Sequence, residues 1–255
     1  MPAAFHTFPC LSDNIGVLIH DEATGATASV DVPEAEAVER ALRERNWRLT
    51  DIIVTHRHSD HVQGIPALKK ATGARVIAPK KAAAQVPDAD ELVAEGDKVK
   101  VGELIGLVLD TPGHCADHIS YWFQKENALF AGDTIFTLGC GRVSEATPSV
   151  LWSSLQRIAA LPDETRIWSG HEYTLSNARF ALSVDGANAA LKARYAEIER
   201  LRGADKLTVP TTLAEEKATN PFLRAGDPQV QNAVGMAGAD ASAVFAELRA
   251  RKNRF

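Results

Sequence analysis

The segment Asp51-Ile52-Ile53-Val54-Thr55-His56-Arg57-His58-Ser59-Asp60-His61 holds three of the chain's eight histidines within six residues. Its first four residues are an apolar, β-branched run that reads as a buried strand. The residues after it, Val62-Gln63-Gly64-Ile65-Pro66-Ala67-Leu68, read as the start of a helix. The histidines therefore fall on a strand-to-helix loop, where a rigid base can aim several side chains at one point. Imidazole nitrogens and carboxylate oxygens are ligands of borderline divalent metals. In an extended loop, residues two apart face the same side, so His56 and His58 suit one ion. Asp60 and His61 lie at the turn into the helix and suit a second. A structural zinc site would use cysteines, and this stretch has none.

The pattern T-H-x-H-x-D-H resembles the signature of the metallo-β-lactamase superfamily. That resemblance implies an α/β fold, the αβ/βα four-layer sandwich: two facing sheets with helices outside and one or two metals at one edge. It constrains fold and metal chemistry more tightly than substrate.

At 255 residues, with 45% hydrophobic and 24% charged residues and a net charge of −5, the composition is that of an ordinary soluble domain. The acidic balance argues against a nucleic-acid partner. No apolar run approaches the ~20 residues of a membrane span. Met1-Pro2-Ala3-Ala4-Phe5-His6 lacks the charged and apolar regions of a secretory leader. The three cysteines, Cys10, Cys115 and Cys140, are odd in number and far apart, which fits a reduced, cytoplasmic setting.

Strands are expected at residues 15–20, 24–32, 75–78, 99–101, 104–109, 119–123 and 128–134, with amphipathic helices at 34–46 and 149–161. The second helix carries Trp152, Leu155, Ile158 and Leu161 on one side. Asp31, at the end of its strand, reads either as a turn residue before Val32-Pro33 or, by the resemblance, as a group that orients a ligand imidazole. Residues 174–255 are alanine-rich and helix-prone, with no strand pattern.

Three further segments match the superfamily. Asp110-Thr111-Pro112-Gly113-His114-Cys115-Ala116-Asp117-His118 resembles T-P-G-H-T-x-G-H, with Cys115 and Asp117 in place of Thr and Gly. His114 is then a ligand, whereas His118 leads into a strand and reads as a packed core histidine. Ala131-Gly132-Asp133 resembles the segment whose carboxylate bridges two metals, and Gly170-His171 supplies the last histidine. The resemblance thus assigns His56, His58 and His114 to one ion, Asp60, His61 and His171 to the other, and Asp133 to both. Two divalent ions are implied, zinc first, with iron or manganese as alternatives. Asp133, Asp60 and His61 are the residues nearest the chemistry.

The tail narrows the family. Gly170-His171-Glu172-Tyr173-Thr174, Thr219-Asn220-Pro221-Phe222-Leu223-Arg224 and the ending from Leu248 to Phe255 resemble glyoxalase II, the hydroxyacylglutathione hydrolases. By this match Arg142, Tyr173, Arg249 and Lys252 bind the glutathione part of a thioester, since cationic donors suit its carboxylates. Read alone, Arg249 and Lys252 are a solvated basic helix end. The expected division is a catalytic domain at 1–173 and a helical substrate-binding domain at 174–255, acting as a monomer with no membrane or nucleic-acid partner. Four positions depart from that pattern: Arg57 replaces the middle histidine of T-H-H-H, Gln63 replaces the first glycine of the Gly-Gly after the motif, Ser144 replaces an aromatic, and Ala146 replaces a glycine. Arg57 reads as a spectator. The alternative is a glutathione persulfide (sulfur) dioxygenase with a single iron, or another hydrolase of the superfamily.

Overall fold

The computed structural model describes residues 3–255. Two compact units make up the chain. One runs up to Asp110 and includes Asp117–Gly132; the other combines Thr111–Ala116 with Asp133–Phe255. The leader reading at Met1-Pro2 lies outside the described residues.

The first unit begins with an antiparallel meander, β1 (Ala3–Cys10), β2 (Asn14–Asp21) and β3 (Thr27–Val30). The chain then turns parallel. Helix α1 (Ala35–Arg45) leads to β4 (Asp51–Ile53), and α2 (Ser59–Val62) and α3 (Ile65–Thr72) lead to β5 (Arg75–Pro79) and β6 (Glu91–Val93). The sheet order is β1-β2-β3-β4-β5-β6. Its inner parallel strand β4 is buried on both faces, which is why Ile52, Ile53 and the following Val54 form an unbroken apolar run. Helices α1 and α3 pack Val38, Leu42 and Leu68 against Leu18, Ile52 and Val76. Both end in left-handed caps, at Asn46 and Gly73.

An antiparallel meander completes this unit: β7 (Lys98–Val101), β8 (Leu104–Asp110), β9 (Ile119–Phe123) and β10 (Ala128–Gly132). Two bonds tie β9 to the histidine segment. The Ile119 N–H donates to Thr55 O at 3.0 Å, and the buried Tyr121 hydroxyl donates to Val54 O at 2.6 Å.

The second unit starts with a small hairpin, β11 (Ile135–Phe136) and β12 (Gly139–Cys140). Helix α4 (Pro148–Ala159) follows, then β13 (Arg166–Ser169). The buried stripe of α4 is Leu151, Leu155 and Ile158. Trp152 is half-buried over Phe245 at 5.5 Å, and Leu161 falls beyond the helix end. The tail contains α5 (Thr174–Asp185), α6 (Ala189–Gly203), α7 (Leu213–Thr219), α8 (Pro228–Ala233) and α9 (Ala241–Arg254). The tail is not wholly helical: β14 (Thr211–Thr212) pairs antiparallel with β13. Two residues give no detectable alternation, so this strand has no sequence signal.

Candidate metal centre

In the first unit, the strand-to-helix loop delivers four candidate ligands. His56 and His61 are buried, while Asp60 keeps a side-chain exposure of 39%. Asp31 stands in the left-handed region, with φ of 58°. From there its carboxylate accepts the Thr55 N–H at 2.7 Å and the Thr55 hydroxyl at 2.8 Å. It also meets His61 Nδ1 at 2.8 Å. The Thr55 hydroxyl, having donated to Asp31, accepts from His56 Nδ1 at 3.0 Å. Both imidazoles are thus held at Nδ1, which leaves Nε2 as the lone-pair nitrogen. Asp31, His56 and His61 each offer a donor atom within 4.8 Å of one another. The Asp31 oxygens are nevertheless already occupied by these partners. Of its two sequence readings, the orienting one describes what it touches.

His56 Nε2 and His58 Nδ1 lie 3.1 Å apart. Two nitrogens on one tetrahedral ion, with bonds of ~2.0–2.1 Å, would sit about 3.3 Å apart. The pair therefore has the spacing of two ligands. Asp60 Oδ2 is 3.8 Å from His61 Nε2. Buried Asn14 donates through Nδ2 to Asp60 Oδ2 at 3.2 Å and to Asp60 O at 3.1 Å. Asn14 was invisible in the sequence, because an asparagine before an apolar strand reads as turn chemistry. His118 is a core residue as expected, buried and stacked on His56 with centroids 4.9 Å apart. Gly132, at φ +45°, makes room behind it: a Cβ there would lie 2.7 Å from both His118 Nε2 and Thr55 Oγ1.

In the second unit, Asp133 Oδ2 lies 3.5 Å from His114 Nε2 and 3.3 Å from His171 Nε2. All three side chains are at most about a tenth exposed. His114 Nδ1 donates to the main-chain oxygen of Arg142 at 3.0 Å, again leaving Nε2 for a ligand role. That approach requires Gly141, where a Cβ would stand 2.1 Å from Asp133 O and 3.1 Å from His114 Cβ. One carboxylate oxygen thus lies between two imidazole Nε2 atoms, and a carboxylate has acceptor capacity for more than one partner. The donors of both units suit a divalent metal.

The four residues expected at the substrate also lie in this unit. Tyr173, 38% exposed, stacks on His171 at 4.8 Å and 3° and meets Phe136 edge-on at 5.4 Å. The Arg142 side chain is exposed. Arg249 is buried. Its Nη1 donates to Cys140 O at 2.9 Å and its Nε to Asn253 at 3.0 Å, and its guanidinium covers Phe222 at 5.2 Å. Lys252 donates to Ser176 Oγ at 2.8 Å and Ser176 O at 3.1 Å. Burial, then the guanidiniums of Arg249 and Arg142, push its ammonium pKa down to about 8. A cation weakened by neighbouring cations marks a local positive field, suited to an anion.

Arg249 has company in bracing the hairpin. The Glu216 carboxylate accepts the Leu138 N–H at 2.9 Å. Asn220 Nδ2 donates to Gly139 O at 3.0 Å and to Glu216 at 2.9 Å. Arg194 pairs with Glu216 from α6. The Thr219-to-Arg224 motif thus acts through Asn220 on the loop before Arg142. Neither Cys10 nor Cys140 is set up as a nucleophile: burial pushes the Cys10 thiol up to about 12 and raises that of Cys140. All three cysteines are free and buried.

A mixed sheet, an antiparallel sheet, a histidine-rich strand-end loop and a buried Asp133 between two imidazoles are features of a metal-dependent hydrolase class. The metallo-beta-lactamase superfamily model matches residues 24–171. A model described as hydroxyacylglutathione hydrolase C-terminus matches residues 172–255. A hydroxyacylglutathione hydrolase of Methylobacterium nodulans is 64% identical over 250 residues, 98% of each chain. One from Bradyrhizobium sp. is 54% identical over 254 residues, 100% of each chain. Among solved structures, ETHE1 from Myxococcus xanthus superposes with a TM-score of 0.67 at 30% identity, covering 98% of each chain. The chain belongs to the hydroxyacylglutathione hydrolase family and has the metallo-β-lactamase α/β fold with a helical C-terminal region. Its full-length relatives support the hydrolase reading over the dioxygenase one. Among the described residues, no helix is long and apolar enough to cross a membrane.

Proposed function

We propose that the chain hydrolyses S-(2-hydroxyacyl)glutathione, such as the D-lactoyl thioester, to the 2-hydroxy acid and glutathione. The observation that carries this reading is Asp133 Oδ2 between His114 Nε2 and His171 Nε2, in a chain whose full-length relatives are hydroxyacylglutathione hydrolases. His56, His58 and His114 would hold one divalent ion, Asp60, His61 and His171 a second, and Asp133 would serve both. Zinc is the first choice, and this thiolate-free donor set also accommodates iron or manganese. Bound together, such ions supply a water acidic enough to be hydroxide near pH 7 and a Lewis acid for the developing oxyanion.

The protein's own groups have separate tasks. Asp31, Thr55 and the Arg142 carbonyl fix the tautomers of His61, His56 and His114. Asn14 holds the Asp60 carboxylate. Arg142, Tyr173 and Lys252 would bind the glutathione portion, and the buried Arg249, expected there too, would act by bracing the hairpin at Cys140 O. The leaving thiolate has a conjugate acid of pKa about 8.5 and departs without a dedicated general acid. No cysteine nucleophile is required, in keeping with the raised Cys140 pKa. In this scheme residues 1–173 do the chemistry and carry Arg142 and Tyr173, and 174–255 complete the substrate-binding part. We place the enzyme in the cytoplasm as a monomer, since three free thiols suit a reducing compartment.

The test is hydrolysis of S-D-lactoylglutathione by protein of measured metal content. Metal-loaded protein is expected to turn over and Asp133→Ala to lose nearly all activity. Protein with two ions per chain and no turnover would overturn the assignment.

A further inference from the structure

Positions 57 and 117 both depart from the signature that this sequence resembles. An arginine replaces the middle histidine of T-H-H-H, and an aspartate replaces the glycine of T-x-G-H. Although 60 positions apart, the two residues meet. Asp117 Oδ2 accepts the main-chain N–H of Arg57 at 2.9 Å. Asp117 Oδ1 accepts from Arg57 Nη1. The Asp117 side chain is only 3% exposed and that of Arg57 26%.

The geometry makes each departure depend on the other. A carboxylate buried to that degree is costly without a cation and N–H donors. Glycine at 117 would remove the acceptor that now holds both the Arg57 peptide and its guanidinium. The clamped N–H belongs to the peptide linking His56 to residue 57. Two residues earlier, Thr55 O is pinned by the Ile119 N–H at 3.0 Å. The His118 ring, next to Asp117 in sequence, stacks on His56. His56 is therefore bracketed on both sides along the backbone and backed by a ring. That bracket sets the direction from which His56 Nε2 approaches His58 Nδ1, 3.1 Å away.

We propose that Arg57 and Asp117 form a co-dependent positioning pair that sets the donor geometry of His56 and His58, in place of the histidine and glycine of the signature. Arg57 is thus no spectator. The inference rests on the metal reading above, and its test separates the two.

Zinc affinity, measured by competition with a chromophoric chelator, is compared for the wild type, R57H, D117N, D117G and R57H/D117G, together with kcat and KM. R57H and D117N are expected to bind zinc about 10–100-fold more weakly, the range for groups that orient ligands. Their kcat is expected to fall while KM for the thioester stays within about twofold, because the substrate grip is untouched. R57H/D117G is expected to regain zinc affinity to within about threefold of wild type, since neither an orphaned cation nor a buried carboxylate remains. Single variants with wild-type affinity, or a double variant no better than the worse single, would overturn the pair. Should R57H fail to fold, the near-isosteric D117N carries the same test. Wild-type protein that bound no zinc, iron or manganese would instead remove the metal reading itself.

Discussion

Asp31 shows how much one residue does once its neighbours are known. Its positive φ and three close partners convert an ordinary turn aspartate, two residues before a proline, into the group that holds both His56, through Thr55, and His61. Lys252 shows the same dependence through charge. Its pKa of about 8 arises from burial beside Arg249 and Arg142. A carboxylate ligand favours the ammonium form, so binding takes up a proton once the pH exceeds that value. KM for the thioester is therefore expected to be flat below pH 8 and to rise above it. Lys252→Arg, whose guanidinium keeps its charge past pH 12, should remove most of that rise. The check is KM between pH 6.5 and 9.5 for both proteins, and superimposable profiles would refute this role for Lys252.

The element that matters most is the β11–β12 hairpin, two short strands that could not stand alone. Glu216 and Asn220 hold its turn, and Arg249 holds its end at Cys140 O. Glu216 is wholly buried, with Arg194 as its cationic partner at 13% exposure. Glu216→Ala would leave that largely buried guanidinium with only the Thr211 and Thr219 hydroxyls, without a countercharge, and would release the Leu138 N–H. The expected cost is about 3–5 kcal/mol, read as a shift of the urea midpoint at constant m-value. A cost under about 1 kcal/mol would place the network among exposed, weakly contributing pairs. The α9 helix gains a second meaning here. Its buried Arg249 is part of the framework, whereas the half-buried Lys252 sits in the local positive field.

For the whole molecule, the prediction is linkage between metal and stability. The candidate ligands come from distant segments of the chain, so ions that bind the folded chain stabilise it. With free metal about 1,000-fold above Kd, the gain is about 4 kcal/mol. For a chain of this size that corresponds to a Tm fall on the order of 10 °C after chelation. Calorimetry before and after chelation, followed by metal return, checks this. A Tm indifferent to metal would contradict it.

Much of this was legible from residue order, for a physical reason. Largely buried strands, the parallel β4 and β5 and the antiparallel β9 and β10 alike, leave nearly unbroken apolar runs, and the candidate ligand loops follow at strand ends. Period and punctuation therefore located β4, β5, β9 and β10 and the segments carrying His56, His114, Asp133 and His171. Pairings across long sequence separations leave no periodic trace. Asn14 with Asp60, Arg57 with Asp117, and Glu216 with Leu138 became visible only in the folded chain. The sequence by itself determined the fold class and the family, because these follow from local pattern and side-chain chemistry. Tertiary structure alone decided that His56, His61 and His114 are held at Nδ1, what Asp31 touches, and that Arg57 is fastened to Asp117. Each of those depends on which groups meet once the intervening chain has folded.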